Sequence, residues 1–232
     1  MTASIVIPRR FRGPEASANG GYTCGTIAEL VDASVVEVTL RKPPPLDVEM
    51  AVAREGDGVG VLYEGELVAE ARPGVLDLDA PPAPDYAEAK RLSEVRGDDP
   101  DHPFPGCFVC GPRGDGLRLR PAPLGDGPVI APWLVEPDFA GARFAWAALD
   151  CPGGWAVQPD GSRGISVLGR LTATVHAAPE AGDECVVVGW PLGSVDGRRL
   201  HAGTALFRSG TLLALGRAVW FTVDDTVRDS TR

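Results

Sequence analysis

The sequence predicts an α+β fold built from few helices and many antiparallel strands. Three observations lead to this prediction. The 232 residues include 29 glycines and 22 prolines in no fixed period, which is typical of short elements separated by turns. Each half of the chain has one helix candidate followed by several strand candidates, without the alternation that a parallel sheet requires. A hairpin-like segment near the end of the first half also recurs near the end of the second.

The helix candidates occupy corresponding places in the two halves. They are predicted at Gly20–Ala33 and Ala142–Trp155, the second with its main helical part over Ala142–Leu149. The strands that follow them are predicted at Val35–Leu40, Val48–Arg54, Ile165–His176 and Glu184–Trp190. Small residues dominate one stretch of the first helix, which suits a helix packed closely inside a wrapping sheet. These small residues are Thr23, Cys24, Gly25 and Ala28.

The recurring segment predicts a structural repeat. With one residue inserted, six positions match in kind: Leu62, Tyr63, Gly65, Leu67, Ala69 and Arg72 correspond to Leu206, Phe207, Gly210, Leu212, Ala214 and Arg217. Each copy is predicted to form a strand, a tight glycine turn and a second strand. The alternative is that two hairpins resemble each other by chance.

A linker-like stretch divides the chain. Residues 81–105 are rich in proline at both ends and charged between, with one short helix predicted at Tyr86–Val95. A chain of 232 residues is long enough for two domains of roughly 100 residues each. The predicted organisation is therefore an N-terminal domain over 1–80, a linker over 81–105 and a C-terminal domain over 106–226.

Composition excludes some classes of function. The net charge is −10 and no basic face is evident, so nucleic-acid binding is not expected. The negative net charge does not exclude coenzyme A as a ligand, because a few arginines at the mouth of a pocket suffice to bind its phosphates. The sequence has no run of 18 apolar residues, so no membrane span is predicted. Met1–Arg12 has no apolar run of the length that a signal peptide requires. The five cysteines are interpreted as reduced thiols of a cytoplasmic protein.

The start of the first helix is a candidate binding site. Asn19 is a good N-cap residue, and Gly20 and Gly21 allow backbone amides to approach a ligand closely. The free N–H groups of a helix start attract negative charge, so they could stabilise a thioester carbonyl as it becomes an oxyanion. The alternative is a plain cap whose glycines serve packing.

Asp150 is a candidate catalytic residue, because it is a single carboxylate in a strongly apolar segment. Pro152 interrupts helical hydrogen bonding just after it, so Asp150 is predicted at a kink or helix end. It could act as a general base that activates water, or attack a thioester directly to give an anhydride. The alternative is a structural acid bonded to nearby backbone.

Three motifs resemble the hotdog superfamily of thioesterase-like proteins. The Asn19-Gly20-Gly21-Tyr22 opening resembles the family's helix start. The Cys107-Phe108-Val109-Cys110-Gly111-Pro112 segment, followed by Gly116-Leu117, resembles the lead-in to many of its members. The Ala148-Leu149-Asp150 segment, followed by Gly153-Gly154, resembles the family's acidic helix segment.

The resemblance implies a double hotdog: two antiparallel sheets joined in a pseudo-dimer, each wrapped around a central helix. It also implies an acyl-CoA or other acyl thioester bound between the halves, with coenzyme A present only as part of the substrate. Homo-oligomers of double-hotdog units are compatible with it. The residues assigned by resemblance are Asp150 and Asn19 as catalytic groups, with Gly20, Gly21, Tyr22, Thr172 and Arg217 contacting substrate.

Some assignments depart from the family pattern. Asn19 stands where the family has histidine, and Ala28 stands where single-domain relatives often place the acid, with Glu29 beside it. Thr174 is an alternative to Thr172 as the hydroxyl. No glutamine occurs on the last predicted strand, where only Arg217 is polar and long.

The remaining cysteines and histidines predict no metal site. Cys107 and Cys110 form a CxxC pair with His102 nearby, but a structural zinc needs four ligands, and Cys151 lacks paired spacing. The cysteines are expected to pack as small apolar residues. The main hypothesis is therefore an acyl-CoA thioesterase, and the alternatives are a non-catalytic acyl-CoA binding protein and a hotdog hydratase or acyl-transfer enzyme.

Overall fold

The computed structural model describes residues 3–158, 165–193 and 197–223. Its strands are β1 Ser4–Ile5, β2 Val35–Leu40, β3 Met50–Glu55, β4 Gly58–Tyr63, β5 Glu66–Pro73, β6 Ala122–Pro123, β7 Val129–Leu134, β8 Ile165–Val175, β9 Glu184–Pro191, β10 Arg199–Arg208 and β11 Thr211–Val223. Its helices are α1 Gly20–Ala28, α2 Tyr86–Arg96, α3 Ala142–Ala148 and α4 Cys151–Val157, with 3₁₀ turns at Arg9–Phe11 and Pro137–Phe139. None of the helices described is long and apolar enough to cross a membrane.

The sheet is continuous from one half of the chain to the other. The strands described follow the order β1-β3-β4-β5-β2-β8-β11-β10-β9-β7-β6 and pair antiparallel throughout. The halves join at β2 and β8, where Glu37 lies opposite Thr172. The structure therefore has one sheet where the sequence predicted two joined sheets, because pairing β2 with β8 covers the edge that each half would otherwise expose.

The two hairpins of the predicted repeat share one turn geometry. Glu64-Gly65 joins β4 to β5, and Ser209-Gly210 joins β10 to β11. All four residues have positive φ, which is the conformation of a type I′ turn. The alignment needs no inserted residue, because Tyr63 precedes the first turn as Arg208 precedes the second. The predicted insertion is therefore wrong, whereas the match of the second strands is confirmed.

The hairpins also share a bulge that binds the neighbouring strand. Val68 and Leu213 are the extra residues where the strand register shifts. The Val68 carbonyl accepts hydrogen bonds of 2.8 and 3.2 Å from the two residues after β2. The Leu213 carbonyl accepts bonds of 2.8 and 3.2 Å from the two residues after β8. The halves therefore share a strand plan, in which β2, β4 and β5 correspond to β8, β10 and β11 around a local twofold between the central strands.

Helix α1 begins where the sequence predicts and ends earlier. Asn19 caps it, since the Asn19 Oδ1 accepts a hydrogen bond from the Tyr22 N–H at 2.8 Å. The helix ends at Ala28, short of the predicted Ala33. The N–H groups of Leu30 and Val31 bond to carbonyls three residues earlier, which tightens the last turn and directs the chain into β2.

The second predicted helix is interrupted in the middle. Helix α3 ends at Ala148 and α4 begins at Cys151, so the predicted segment Ala142–Trp155 forms two helices. Asp150 lies at the break with φ −78° and ψ −85°, outside the helical region. Pro152 has no N–H to continue the helical ladder, which explains the interruption. The break places the Asp150 side chain at the end of two helices instead of on the face of one.

Helices α1 and α3 pack closely in the core. All residues from Gly21 to Ala28 are buried. A Cβ on Gly21 would lie 2.7 Å from the Trp146 carbonyl oxygen, and a Cβ on Gly25 would lie 2.8 Å from the Arg143 carbonyl oxygen. The close packing that small residues predict for this helix is therefore confirmed, and it holds the start of α1 against Asp150.

The segment between the halves covers one face of the sheet. Helix α2 is capped by Asp85, whose Oδ1 accepts a hydrogen bond from the Glu88 N–H at 2.8 Å. Its Ala89 packs with apolar residues on the face of β7, β9, β10 and β11 opposite the main core; they include Ile130, Val186, Val188, Ala205, Phe207 and Leu215. The Ser93 hydroxyl donates to the Arg120 carbonyl at 2.9 Å. The segment thus forms a strap, defined here as residues 76–96, over the second half.

Candidate functional site

A large cleft lies where the start of α1 meets the break between α3 and α4. Its volume is about 1450 Å³. Asn19, Gly20 and Asp150 line it, together with Trp155 of α4 and Leu168 of β8. Residues from both halves of the chain therefore contribute to one cleft.

Asp150 is the most deeply buried acidic group in the wall of this cleft. Only 2% of the surface of Asp150 is exposed to solvent. The Asp150 Oδ2 accepts hydrogen bonds from the Asn19 Nδ2 at 2.8 Å and from the Gly21 N–H at 2.9 Å. The Asp150 Oδ1 is also buried and has no hydrogen-bond partner in the described residues. One carboxylate oxygen is thus held by α1, and the other has no hydrogen-bond partner among the described residues.

Burial determines the acidity of this carboxyl group. Loss of solvation raises the pKa of Asp150 from 3.8 to about 7, and the Gly21 N–H opposes this rise. A charge on Cys107 raises the pKa further, and the Asn19 amide lowers it. A carboxyl group with a pKa near 7 can accept and return a proton at neutral pH.

Asn19 has both ends of its amide engaged. The Oδ1 accepts the α1 capping bond from Tyr22, so the Nδ2 is fixed as the donor to Asp150. This arrangement orients the carboxylate and leaves no side-chain group of Asn19 free to exchange a proton. The Asn19 amide thus links the helix start to the carboxylate, and the catalytic role assigned to Asn19 by resemblance stays a prediction.

The two glycines at the start of α1 have different surroundings. Gly20 lines the cleft, and a Cβ on it would lie 2.9 Å from the Leu168 side chain. Gly21 faces α3, and a Cβ on it would lie 2.5 Å from the Asp150 Cβ. Gly20 therefore keeps space open in the cleft, and Gly21 allows its own N–H to reach Asp150.

Three predicted substrate-contacting residues lie away from the cleft. Tyr22 is buried and stacks on Phe11 with 3.9 Å between ring centroids. The Thr172 hydroxyl donates to Glu37 at 3.3 Å. Arg217 is exposed, and its guanidinium donates to the carbonyl of Asp77. None of the three lines the cleft as described.

Basic side chains that the sequence did not single out line the outer part of the cleft. They are Arg41, Lys42, Arg170 and Arg199. Arg41 and Lys42 pair with Glu70 and Glu66 on β5, whereas Asp99 and Asp101 bring negative charge to the same cleft. These residues come from strands and loops far apart in the sequence, so no local pattern indicates them.

A cluster of three sulfur atoms adjoins Asp150. The Sγ atoms of Cys107, Cys110 and Cys151 lie within 4.8 Å of one another, and all three residues line the cleft. The Asn19 Nδ2 lies 3.8 Å from the Cys107 Sγ. Hydrogen bonds from the neighbouring thiols hold the pKa of Cys107 well below its usual range. The sequence missed the cluster because Cys151 joins the CxxC pair only through the fold.

Comparison with solved structures identifies the architecture. The chain is similar to a hot dog fold protein of unknown function from Alicyclobacillus acidocaldarius, with a TM-score of 0.64 and 14% identity over 95% of this chain and 92% of that one. The chain has the hotdog fold. It is also similar to the tesB protein of Mycobacterium avium subs. paratuberculosis, with a TM-score of 0.58 and 14% identity over 91% and 89% of the two chains.

A third solved structure is also similar to the chain. The acyl-CoA thioesterase II TesB2 from Mycobacterium marinum matches with a TM-score of 0.58 and 12% identity over 95% of this chain and 92% of that one. The sequence matches no protein-family model and no curated protein. The hotdog fold implied by the motif resemblance is therefore confirmed at the level of structure.

Proposed function

We propose that this hotdog protein is a thioesterase that hydrolyses an acyl-CoA with Asp150 as general base. The observation that carries the proposal is the asymmetry of the Asp150 carboxylate in the cleft wall: Oδ2 is held by two donors, and Oδ1 is buried with no partner in the described residues. We propose further that residues 1–80 and 106–226 are tandem hotdog domains joined through 81–105. With this division of the chain, the active site lies between the two domains.

The reaction follows from this asymmetry. A water held by the Asp150 Oδ1 attacks the thioester carbonyl carbon while Asp150 accepts one of its protons. The tetrahedral oxyanion forms beside the start of α1, where the Gly20 N–H and the positive end of the helix favour negative charge. Collapse breaks the C–S bond, and the proton on Asp150 passes to the departing thiolate. The products are a carboxylic acid and a free thiol.

The outer cleft suits the rest of a coenzyme A substrate. Arg41, Lys42, Arg170 and Arg199 offer positive charge to its phosphates, although the whole chain carries −10. A volume of about 1450 Å³ leaves room for both a nucleotide and an acyl chain. No cofactor is required beyond the coenzyme A of the substrate.

Thiol release from short, medium, long and aromatic acyl-CoAs tests this proposal. The Asp150→Asn variant keeps the shape of the side chain and removes the base, so we expect turnover to fall by about 100-fold or more. The matched control is Asp57→Asn, which removes an exposed carboxylate between β3 and β4. Equal turnover in the wild type and Asp150→Asn would remove Asp150 from the mechanism.

Isotope labelling separates water activation from direct attack by Asp150. In a single turnover in ¹⁸O-labelled water, a general base delivers the label to the carboxylic acid product. Direct attack forms an anhydride, and water attack at its Asp150 carbonyl leaves the label on the enzyme and an unlabelled oxygen in the product. We expect labelled product and an unlabelled protein.

A non-catalytic acyl-CoA binding protein is the second candidate. It is favoured by the positions of Thr172 and Arg217, which lie outside the cleft and leave Asp150 without the additional polar groups assigned by resemblance. Calorimetric binding of a non-hydrolysable acyl-CoA analogue, together with no thiol release across the substrate panel, would select this candidate.

A further inference from the structure

The sulfur cluster has the dimensions of a metal site. The Cys107 Sγ and the Cys151 Sγ lie 3.8 Å apart, and the Cys110 Sγ lies within 4.8 Å of both. A tetrahedral zinc with Zn–S bonds of about 2.3 Å requires its sulfur ligands to lie about 3.8 Å apart. The spacing between Cys107 and Cys151 therefore already matches that of two ligands on one zinc ion, and a small movement brings in Cys110.

The loop that carries the CxxC pair is held in a tight turn. The Gly111 N–H bonds to the Cys107 carbonyl at 3.0 Å, which folds the loop into a tight turn. A Cβ at Gly111 would lie 2.4 Å from the Pro105 carbonyl oxygen and 2.6 Å from the Cys107 carbonyl oxygen, so only glycine fits there. This turn brings the Cys110 sulfur within 4.8 Å of the Cys107 sulfur.

The third cysteine, Cys151, belongs to a different element of the fold, helix α4. Cys151 is the first residue of α4, directly after the helix break at Asp150. Cys107 and Cys151 are buried and Cys110 is half-buried, and the structure forms no disulfide among them. A disulfide would use two of the sulfurs, whereas a metal ion uses all three.

We propose that Cys107, Cys110 and Cys151 form a binding site for a thiophilic d¹⁰ cation, with Zn²⁺ as the physiological occupant. Three thiolates in a cleft wall leave a fourth coordination position for water or a ligand in the cleft. His102 does not fill it, because the Phe104 N–H donates to the His102 Nδ1 at 3.0 Å. The neutral ring then carries its proton on Nε2 and offers no lone pair there.

Cobalt titration tests the site directly. The full-length protein is reduced with a phosphine, stripped with a chelator and titrated anaerobically with Co²⁺. We expect one equivalent of Co²⁺ to produce sulfur-to-cobalt charge-transfer absorption and the visible bands of tetrahedral cobalt, and one equivalent of Zn²⁺ to abolish both. Protein purified without chelator should contain close to one zinc per chain by plasma mass spectrometry.

Cysteine variants identify the ligands. Cys110→Ala and Cys151→Ala should each weaken cobalt binding by more than about 100-fold, since loss of even an outer-shell partner costs about 10- to 100-fold. Cys185→Ala is the matched control, because Cys185 is buried on β9 and lies outside the cluster. Circular dichroism of each variant verifies that it is folded, and the half-buried Cys110 gives the substitution least disturbing to the core.

Two results would overturn the proposal. One is the absence of charge-transfer absorption in wild-type protein in which all five cysteines titrate as free thiols. The other is cobalt binding that persists unchanged in both Cys110→Ala and Cys151→Ala. The spectra do not depend on turnover, so they decide the metal site whether or not the protein hydrolyses thioesters.

Discussion

The two oxygens of Asp150 are held in different environments by one short piece of chain. Asn19 caps α1 with its Oδ1 and bonds Asp150 with its Nδ2, so the same side chain fixes both the helix start and the carboxylate. Gly21 adds a backbone donor that only a residue without a side chain can bring this close. The cost of burying the carboxylate is therefore offset by two donors, but not removed.

The raised pKa of Asp150 predicts a measurable effect on stability. The Asp150 carboxyl has a pKa of about 7 in the folded protein, against an ordinary value of 3.8, so it is harder to ionise when folded. It therefore destabilises the fold as pH rises above about 4, most fully above about 7. In chelator-treated protein, Asp150→Asn should therefore raise the unfolding free energy at pH 8, by up to about 4 kcal/mol. The difference should disappear near pH 4.

Denaturant unfolding of both proteins at pH 8 and pH 4 provides the measurement, with Asp57→Asn as the control for loss of an exposed carboxylate. A lower stability of Asp150→Asn at pH 8 would identify Asp150 as a structural acid. Higher stability together with lost turnover is the pattern of a group retained for chemistry.

Single residues of the site were predictable only where a local pattern marks them. Asn19, Gly20 and Asp150 follow from a cap, a glycine pair and an acid before proline, and the structure brings them together. Whether a strand residue faces a cleft depends on register and pairing, which a local pattern does not reveal, and Thr172 and Arg217 lie elsewhere. Cys151 has no sequence spacing that links it to Cys107.

Close contact between α1 and α3 is the element-level feature that builds the site. Gly21 and Gly25 lie one turn apart on the face of α1 that meets α3. Ion pairing between Arg143 of α3 and Glu29 after α1 closes the outer end of the contact. The distance between the two helices thus sets the distance between Asp150 and its donors.

A methyl group at Gly25 should force these helices apart. Its Cβ would lie 2.7 Å from the Trp146 Cβ and 2.8 Å from the Arg143 carbonyl oxygen, so neither neighbour yields easily. We expect Gly25→Ala to lower the unfolding free energy by about 1–3 kcal/mol, as overpacked cores do. Gly114→Ala is the control, because a Cβ there meets no atom within 4 Å. Equal melting temperatures for the two variants would show that the helices are not in firm contact.

The strap covers an apolar face of the sheet in the second half, a role that its charged sequence does not predict. Charged residues are frequent in α2, and its fully buried residues are the small Ala89 and Ser93, with Tyr86 and Leu92 half-buried beside them. In the sequence such a helix resembles a solvated linker, because its apolar stripe is narrow. The apolar surface that it covers belongs to the strands, and the match becomes visible only when the sheet is formed.

A charge on the buried face of the strap should detach it. Ala89 is 0% exposed, so Ala89→Glu would bury an unpaired carboxylate at a cost of about 3–5 kcal/mol unless α2 leaves the sheet. Ala87→Glu places the same charge on the exposed face and should change stability by less than about 0.5 kcal/mol. Limited proteolysis reports the outcome: rapid cleavage within 76–96 of Ala89→Glu alone supports the strap, and equal cleavage of both variants contradicts it.

At the scale of the molecule, the two halves share one sheet and one core. The pairing of β2 with β8 and the packing of α1 on α3 both cross between the halves. The repeat in the sequence predicted two similar halves, because a type I′ turn leaves a local signature at its glycine. The resemblance implied that the sheets of the two halves are joined. The repeat alone does not predict the pairing of β2 with β8, since that pairing depends on contacts far apart in the sequence.

This shared core predicts cooperative unfolding. Scanning calorimetry should give one transition whose calorimetric and van't Hoff enthalpies agree, because neither half can unfold without exposing β2 or β8 and one of the core helices. Two resolved transitions, or an enthalpy ratio near two, would show instead that the halves fold independently.

The short strands at the two ends of the sheet have a consequence for assembly. In the described residues the sheet ends at β1 and β6, which have two residues each, and β6 includes Pro123, which has no N–H to donate. On β1 and β6 themselves, a strand from another molecule would find only a short row of backbone groups to join. Sheet addition onto β1 or β6 is therefore disfavoured, and we expect copies that associate to meet through side chains on the faces of the sheet.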